Sequence, residues 1–173
     1  MLLRAVQFAS VFFVALAMVP AVAHLMELPA KLHMARADYL TVQQIYRGWA
    51  LAGIVVALAL VSTTALCVLM RGRGLPFAAA AVAAAAIAAT QVVFWRWTFP
   101  ANRATSNWTV LPESWLALRR QWELAHATSA VLSLIALLAV IASVVTAYRV
   151  PSATQDRHET RAAAAIRAAG TDR

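Results

Sequence analysis

Four stretches of this chain, Ala5–Met26, Gly48–Met70, Leu75–Trp95 and Leu124–Tyr148, contain no Asp, Glu, Lys or Arg. Each matches the roughly 20 apolar residues that a helix rising about 1.5 Å per residue needs to cross the hydrocarbon core of a bilayer. Inside lipid every backbone amide must be paired within the protein, and apolar runs of this length without strict alternation achieve that only as helices. The composition agrees: 62% of residues are hydrophobic, 13% are charged, and the mean hydropathy is +0.70. The sequence predicts an all-α integral membrane protein, an up-down bundle of four transmembrane helices over residues 1–149, followed by a polar, basic tail over 150–173.

The first run also has features of a cleavable signal peptide, with Arg4 before an apolar stretch and Ala21-Val22-Ala23 as a cleavage site. The run continues past a normal signal core to Met26 and is read here as a span. Cys67 is the single cysteine, so no disulfide framework exists within the chain. The formal charge of +8 comes from arginines scattered over loop ends and tail, which points to anionic lipid headgroups rather than nucleic acid.

The connection Arg71-Gly72-Arg73-Gly74 is a tight turn, whereas those from Glu27 to Arg47 and from Arg96 to Glu123 are long. Both long loops therefore belong to one end of the bundle, and the termini and tight turn to the other. Basic residues divide almost evenly between the ends, and the compact Arg71/Arg73 turn tips the positive-inside rule toward cytoplasmic termini in a bacterial inner membrane. The Ala-rich third span, Ala78 to Ala89, predicts close helix packing. No span carries a charged midplane residue or the broken helix pair of an ion pathway, which argues against a transporter. His158 in the tail reads as solvated.

Ionisable residues at the edge of an apolar bundle are informative, because each is costly in hydrocarbon unless paired or facing a cavity. His24-Leu-Met-Glu27 ends the first run, and Glu123-Leu-Ala-His126 straddles the start of the fourth. The two i, i+3 pairs are mirrored, so both histidines lie one turn deeper than their glutamates. If the first and fourth helices are neighbours, all four side chains converge at the long-loop end. A plainer reading pairs Glu27 with Lys31, and Glu123 with Arg119 or Arg120, as helical ion pairs. The tryptophans of the third connection, Trp95, Trp97, Trp108, Trp115 and Trp122, suit the membrane interface, and some could instead wall a pocket for a flat lipophilic ligand. The mirrored pairs also allow one metal ion, iron or copper, on two His and two Glu, or a haem between His24 and His126.

Pro100-Ala-Asn102, followed by Arg120-Gln-Trp122-Glu-Leu-Ala-His126 and an apolar span, with His24 late in the first span, resembles the anthrone oxygenase-like family of small four-helix membrane proteins. In that family the fungal enzymes oxidise anthrones to anthraquinones with dioxygen and without metal or organic cofactor, while most bacterial members have no known activity. The resemblance implies an oxygenase-like site for a lipophilic aromatic or quinone-like molecule. His126 would be the base, with His24 the second choice and Glu123 orienting His126. Asn102 would donate to an enolate, Arg120 would add positive charge, and Glu27, Trp95 and Trp122 would complete the binding residues. One departure is Ser129, where the family often has Arg. The alternative is a non-catalytic subunit or a lipid- or quinone-binding module that forms a homo-oligomer or joins a larger membrane complex through its Ala-rich span.

Overall fold

The computed structural model describes residues 1–148; the predicted tail, including His158, lies outside the described residues. The described residues form six α-helices: α1 Leu2–Lys31, α2 Arg36–Gln43, α3 Ala52–Leu69, α4 Leu75–Val93, α5 Phe99–Ala104 and α6 Trp115–Ala147. No strand occurs among the described residues. Among the described residues four helical stretches are long and apolar enough to cross a membrane: Leu2–Lys31, Trp49–Leu69, Leu75–Ala104 and Trp115–Ala147. They form a ring in which α1 packs on α3 and α6, and α4 packs on α3 and α6. The first and last spans are therefore neighbours, as the mirrored pairs require.

Large apolar side chains face outward, Phe8, Val61 and Leu138 among them, which is a liability in water and the natural surface in lipid. Inside, small residues let the backbones approach. Ala80, Ala83 and Ala86 of α4 are buried, and Ser143 of α6 donates to the Pro76 carbonyl at 2.7 Å. Those three alanines serve the interior of the bundle and leave its outer surface to larger side chains.

The helices outrun the uncharged sequence. At 30 and 33 residues, α1 and α6 are about 45 and 50 Å long, against a hydrocarbon core of about 30 Å. Their surplus turns carry Glu27, Lys31, Arg119 and Glu123 beyond or to the edge of the apolar zone. The two long connections fold over this end. Arg119 donates to the Leu32 and Met34 carbonyls at 2.8 and 2.9 Å, Arg36 donates to the Leu111 carbonyl, and Gln44 donates to the Trp108 carbonyl at 2.8 Å. Beneath them Tyr39, Ala101, Trp108, Leu111 and Trp122 form a buried cluster.

Local chemistry explains the irregular backbone around this cap. Pro100 has no N–H for the Arg96 carbonyl, and the chain widens into a π turn over Phe94–Thr98, where Phe99 N–H bonds the Phe94 carbonyl. Gly48, at φ +86°, turns the first connection into α3 in a conformation that most side chains disfavour. Ser106, Asn107 and Trp108 are all left-handed, at φ 49°, 56° and 61°. That conformation costs about 1–2 kcal/mol per residue outside glycine, less for asparagine. It is held by bonds from Asn107 N–H to the Asn102 carbonyl at 2.7 Å and from Trp108 N–H to Thr105 Oγ1 at 3.0 Å.

Candidate functional site

Under the cap, between the four spans, lies a cavity of about 640 Å³. Ala17, Pro20, Val56, Ile87 and Phe94 form its apolar depth, and Tyr46, Trp49, Trp108 and Trp122 its aromatic walls. Polar residues also line it, among them His24, Gln43, Arg47, Gln91, Asn102, His126 and Ser129. An apolar chamber with a few placed polar groups is the usual form of a small-molecule site.

The structure brings His24 and His126 together, with ring centroids 4.3 Å apart. Trp122 lies against both, 4.9 Å from His24 and 4.1 Å from His126. His126 Nε2 is buried and has no hydrogen-bond partner among the described residues. Asn102 Oδ1 accepts from both Trp108 Nε1, at 3.1 Å, and Trp122 Nε1, at 2.7 Å. With its oxygen committed to the two indoles, the Asn102 amide can meet a ligand only through its NH2 group.

Behind His24 is a charge cluster that the cavity does not reach. Lys31 Nζ lies 2.8 Å from Glu27 Oε2, 3.8 Å from Glu123 Oε1 and 3.2 Å from His24 Nδ1. It also sits 4.3 Å above the Tyr46 ring. Tyr39 donates to Glu123 Oε1 at 3.0 Å, and Tyr46 donates to Glu27. Burial first, and then the negative carboxylate beside each, pushes both phenols well above the ordinary tyrosine range. Lys31 is 1% exposed and Glu123 equally closed, whereas Glu27 opens to the outside at the end of the bundle.

Several sequence expectations are corrected by this geometry. Glu123 meets Lys31 and Tyr39 instead of Arg119 or Arg120, because Arg119 is committed to the backbone carbonyls of the first connection. For the same reason Glu123 does not orient His126: no hydrogen bond joins them among the described residues. Arg120 is exposed and outside the cavity, since successive helical residues point about 100° apart and Arg119 and Glu123 take the inward face. Trp95 is 61% exposed, rests on Phe94 and Phe99, and does not line the cavity. The Glu27–Lys31 helical pair is present as expected.

The metal and haem readings meet a steric and electrostatic obstacle. The lysine ammonium occupies the point between the two carboxylates and His24 where a metal ion would stand, and among the described residues no three His, Cys, Asp or Glu side chains gather in a ligand arrangement. Metal–imidazole bonds of about 2 Å on each side would hold two axial ring centroids roughly 6 Å apart. The observed 4.3 Å leaves no slot for a porphyrin.

Sequence reasoning placed Lys31 only as an ion-pair partner and assigned no role to Tyr39, Gln43, Tyr46 or Trp49. Lys31 had a signal, since His24, Glu27 and Lys31 at i, i+3 and i+7 share one helical face. Tyr39, Gln43 and Tyr46, at i, i+4 and i+7, also have helical spacing, in a segment too short and polar to stand out. Comparison of the chain with known protein families, with curated proteins and with solved structures finds no match.

Proposed function

We propose that this chain is a membrane-embedded, oxygenase-like protein that acts on a lipophilic aromatic or quinone-like small molecule in the cavity beneath its cap. The observation that carries the reading is the pair of imidazoles, 4.3 Å apart, on the wall of a predominantly apolar chamber of about 640 Å³. Acid–base chemistry on a carbon acid suits such a wall. A methylene flanked by two aryl rings and conjugated to a carbonyl is acidic enough for an imidazole base, His126, to remove its proton. The electron-rich carbanion passes electrons to dioxygen, a carbon–oxygen bond forms, and the oxygen–oxygen bond then breaks with loss of water. The balance is one CH2 and one O2 to one C=O and one H2O, with no other reductant. The Asn102 NH2 group is held by two indoles in position to donate to the enolate oxygen. The tight Arg71/Arg73 turn supports cytoplasmic termini in a bacterial inner membrane, with the cavity at the opposite end and lipid headgroups around both.

The test is oxygen uptake by full-length protein in nanodiscs with a hydroxylated anthrone as probe. Wild type is expected to consume oxygen and form the quinone, and His126→Ala is expected to bind the probe, read by tryptophan quenching, without turnover. Probe binding with no oxygen uptake by wild type would replace this reading with that of a non-catalytic quinone-binding module, which the same apolar lining supports. Unchanged turnover in His126→Ala would remove the assigned base.

A further inference from the structure

We infer that Lys31 locks His24 as the Nε2–H tautomer and so divides the labour of the two histidines: His24 is a fixed hydrogen-bond donor into the cavity, and His126 is the only base. The part concerning catalysis rests on the oxygenase-like reading above; the part concerning the proton does not.

A lysine ammonium has three donors and no acceptor. Lys31 Nζ is paired with the carboxylates of Glu27 and Glu123, at 2.8 and 3.8 Å. Its contact with His24 Nδ1, at 3.2 Å, can therefore run in one direction only, with Nδ1 accepting. An imidazole whose Nδ1 lone pair is occupied carries its proton on Nε2, and it cannot take a second proton at Nδ1 without losing this bond to a cation. Among the described residues no other hydrogen-bond partner reaches the ring: it is packed by Tyr46, Trp49, Trp122 and His126, and Tyr46 gives its hydroxyl to Glu27. Glu27 is the other titratable group within reach, 3.7 Å from Nδ1, and it approaches the nitrogen that Lys31 already holds. Nε2–H is thus the donor left for the cavity that His24 lines.

A neutral imidazole donor stabilises a developing oxyanion without giving up its proton, a role well matched to an enolate or a peroxide anion formed in this chamber. The proton that His126 takes from carbon is the one returned to the peroxide, so His24 ends the cycle as it began. Lys31 is a positioning residue in this scheme, acting through His24.

The experiment is nitrogen NMR of full-length protein labelled at histidine nitrogen, in detergent micelles, with the His24 signals assigned from their disappearance in His24→Gln. The expected wild-type result is a protonated Nε2 and an unprotonated, hydrogen-bonded Nδ1. A wild-type His24 protonated at Nδ1, alone or together with Nε2, overturns the inference. Lys31→Met is expected to release the tautomer, with Nδ1–H appearing, and Lys31→Arg to retain it; a folded Lys31→Met with an unaltered His24 tautomer also overturns it. If Lys31→Met does not fold, the wild-type spectrum decides. Oxygen uptake on the anthrone probe is read separately. His24→Phe should lose roughly 100-fold in kcat, the usual effect of removing one oxyanion donor, and His24→Gln should recover part of the loss. An Nε2–H tautomer in a wild type that takes up no oxygen would leave the lock standing and remove the oxygenase reading alone.

Discussion

Replacing Lys31 with Met removes the cation that lies against both carboxylates of the cluster. Lys31 is 1% exposed and lies 3.8 Å from Glu123, which is just as deeply buried. At an effective dielectric of about 20, unit charges at that distance attract by about 4 kcal/mol. The closer Glu27 contact adds less than its 2.8 Å suggests, because Glu27 is 36% exposed and water screens it. Breaking a buried pair by removing one partner costs about 3–5 kcal/mol in general, so Lys31→Met should destabilise the fold by about 4 kcal/mol. The Lys31→Met/Glu123→Gln double variant leaves no buried charge unpaired and should recover most of that loss. Glu123→Gln alone should cost the least of the three, since Lys31 keeps Glu27. The assay is reversible unfolding of the full chain in mixed micelles by titration with a denaturing detergent, followed by tryptophan fluorescence, with the coupling energy taken from the cycle. A Lys31→Met loss below about 1 kcal/mol, or a double variant as unstable as the two single losses summed, would refute the placement of Lys31 as the hub of the cluster.

Three further outcomes follow from single contacts. Asn102→Leu strands two indole N–H groups under the cap and should cost about 2–4 kcal/mol in the same unfolding assay, whereas Asn102→Asp keeps the acceptor and should retain the fold while losing turnover on the anthrone probe. Both amide atoms of Gln43 are buried without a partner among the described residues and face the cavity, so Gln43→Leu should stabilise the empty protein by about 1 kcal/mol and weaken quenching by the probe; an equally tight probe would show that the amide makes no ligand contact. Tyr39 and Tyr46 hold their protons more tightly in the fold than in the unfolded chain, where the phenol value is about 10. Stability from this source is therefore whole below about pH 10 and falls as pH rises beyond it. In a Tyr148→Phe background, tyrosinate absorbance should rise together with unfolding, and ionisation of both phenols in a protein that stays folded would contradict their burial beside carboxylates.

Sequence reasoning reached the mirrored His24/Glu27 and Glu123/His126 pairs because helical spacing is local: three residues along a helix return to nearly the same face wherever that helix goes. It also reached Asn102 and Trp122 through a resemblance, and both line the cavity. Trp95 and Arg120, expected among the binding residues, do not line the cavity. An aromatic or basic residue at the end of a span fits the interface and a pocket mouth equally well, and the π turn before Pro100 and the inward register of Arg119 sort them. The role of Trp108 was out of reach, since it depends on three consecutive left-handed residues, two of them, serine and tryptophan, that rarely adopt that conformation.

The four spans, the bundle's up-down order and the gathering of ionisable residues at one end were determined by the sequence alone. Each follows from the cost of placing charge or unpaired backbone in lipid, a property of composition and length. Who pairs with whom was decided by tertiary structure. Lys31 stands four residues from Glu27 and 92 from Glu123 in the chain, and no local rule chooses between a surface ion pair and the hub of a buried cluster. That choice is made when α1 and α6 pack side by side and the first connection folds back over them, closing off water. Then Lys31 must satisfy both carboxylates and His24 at once.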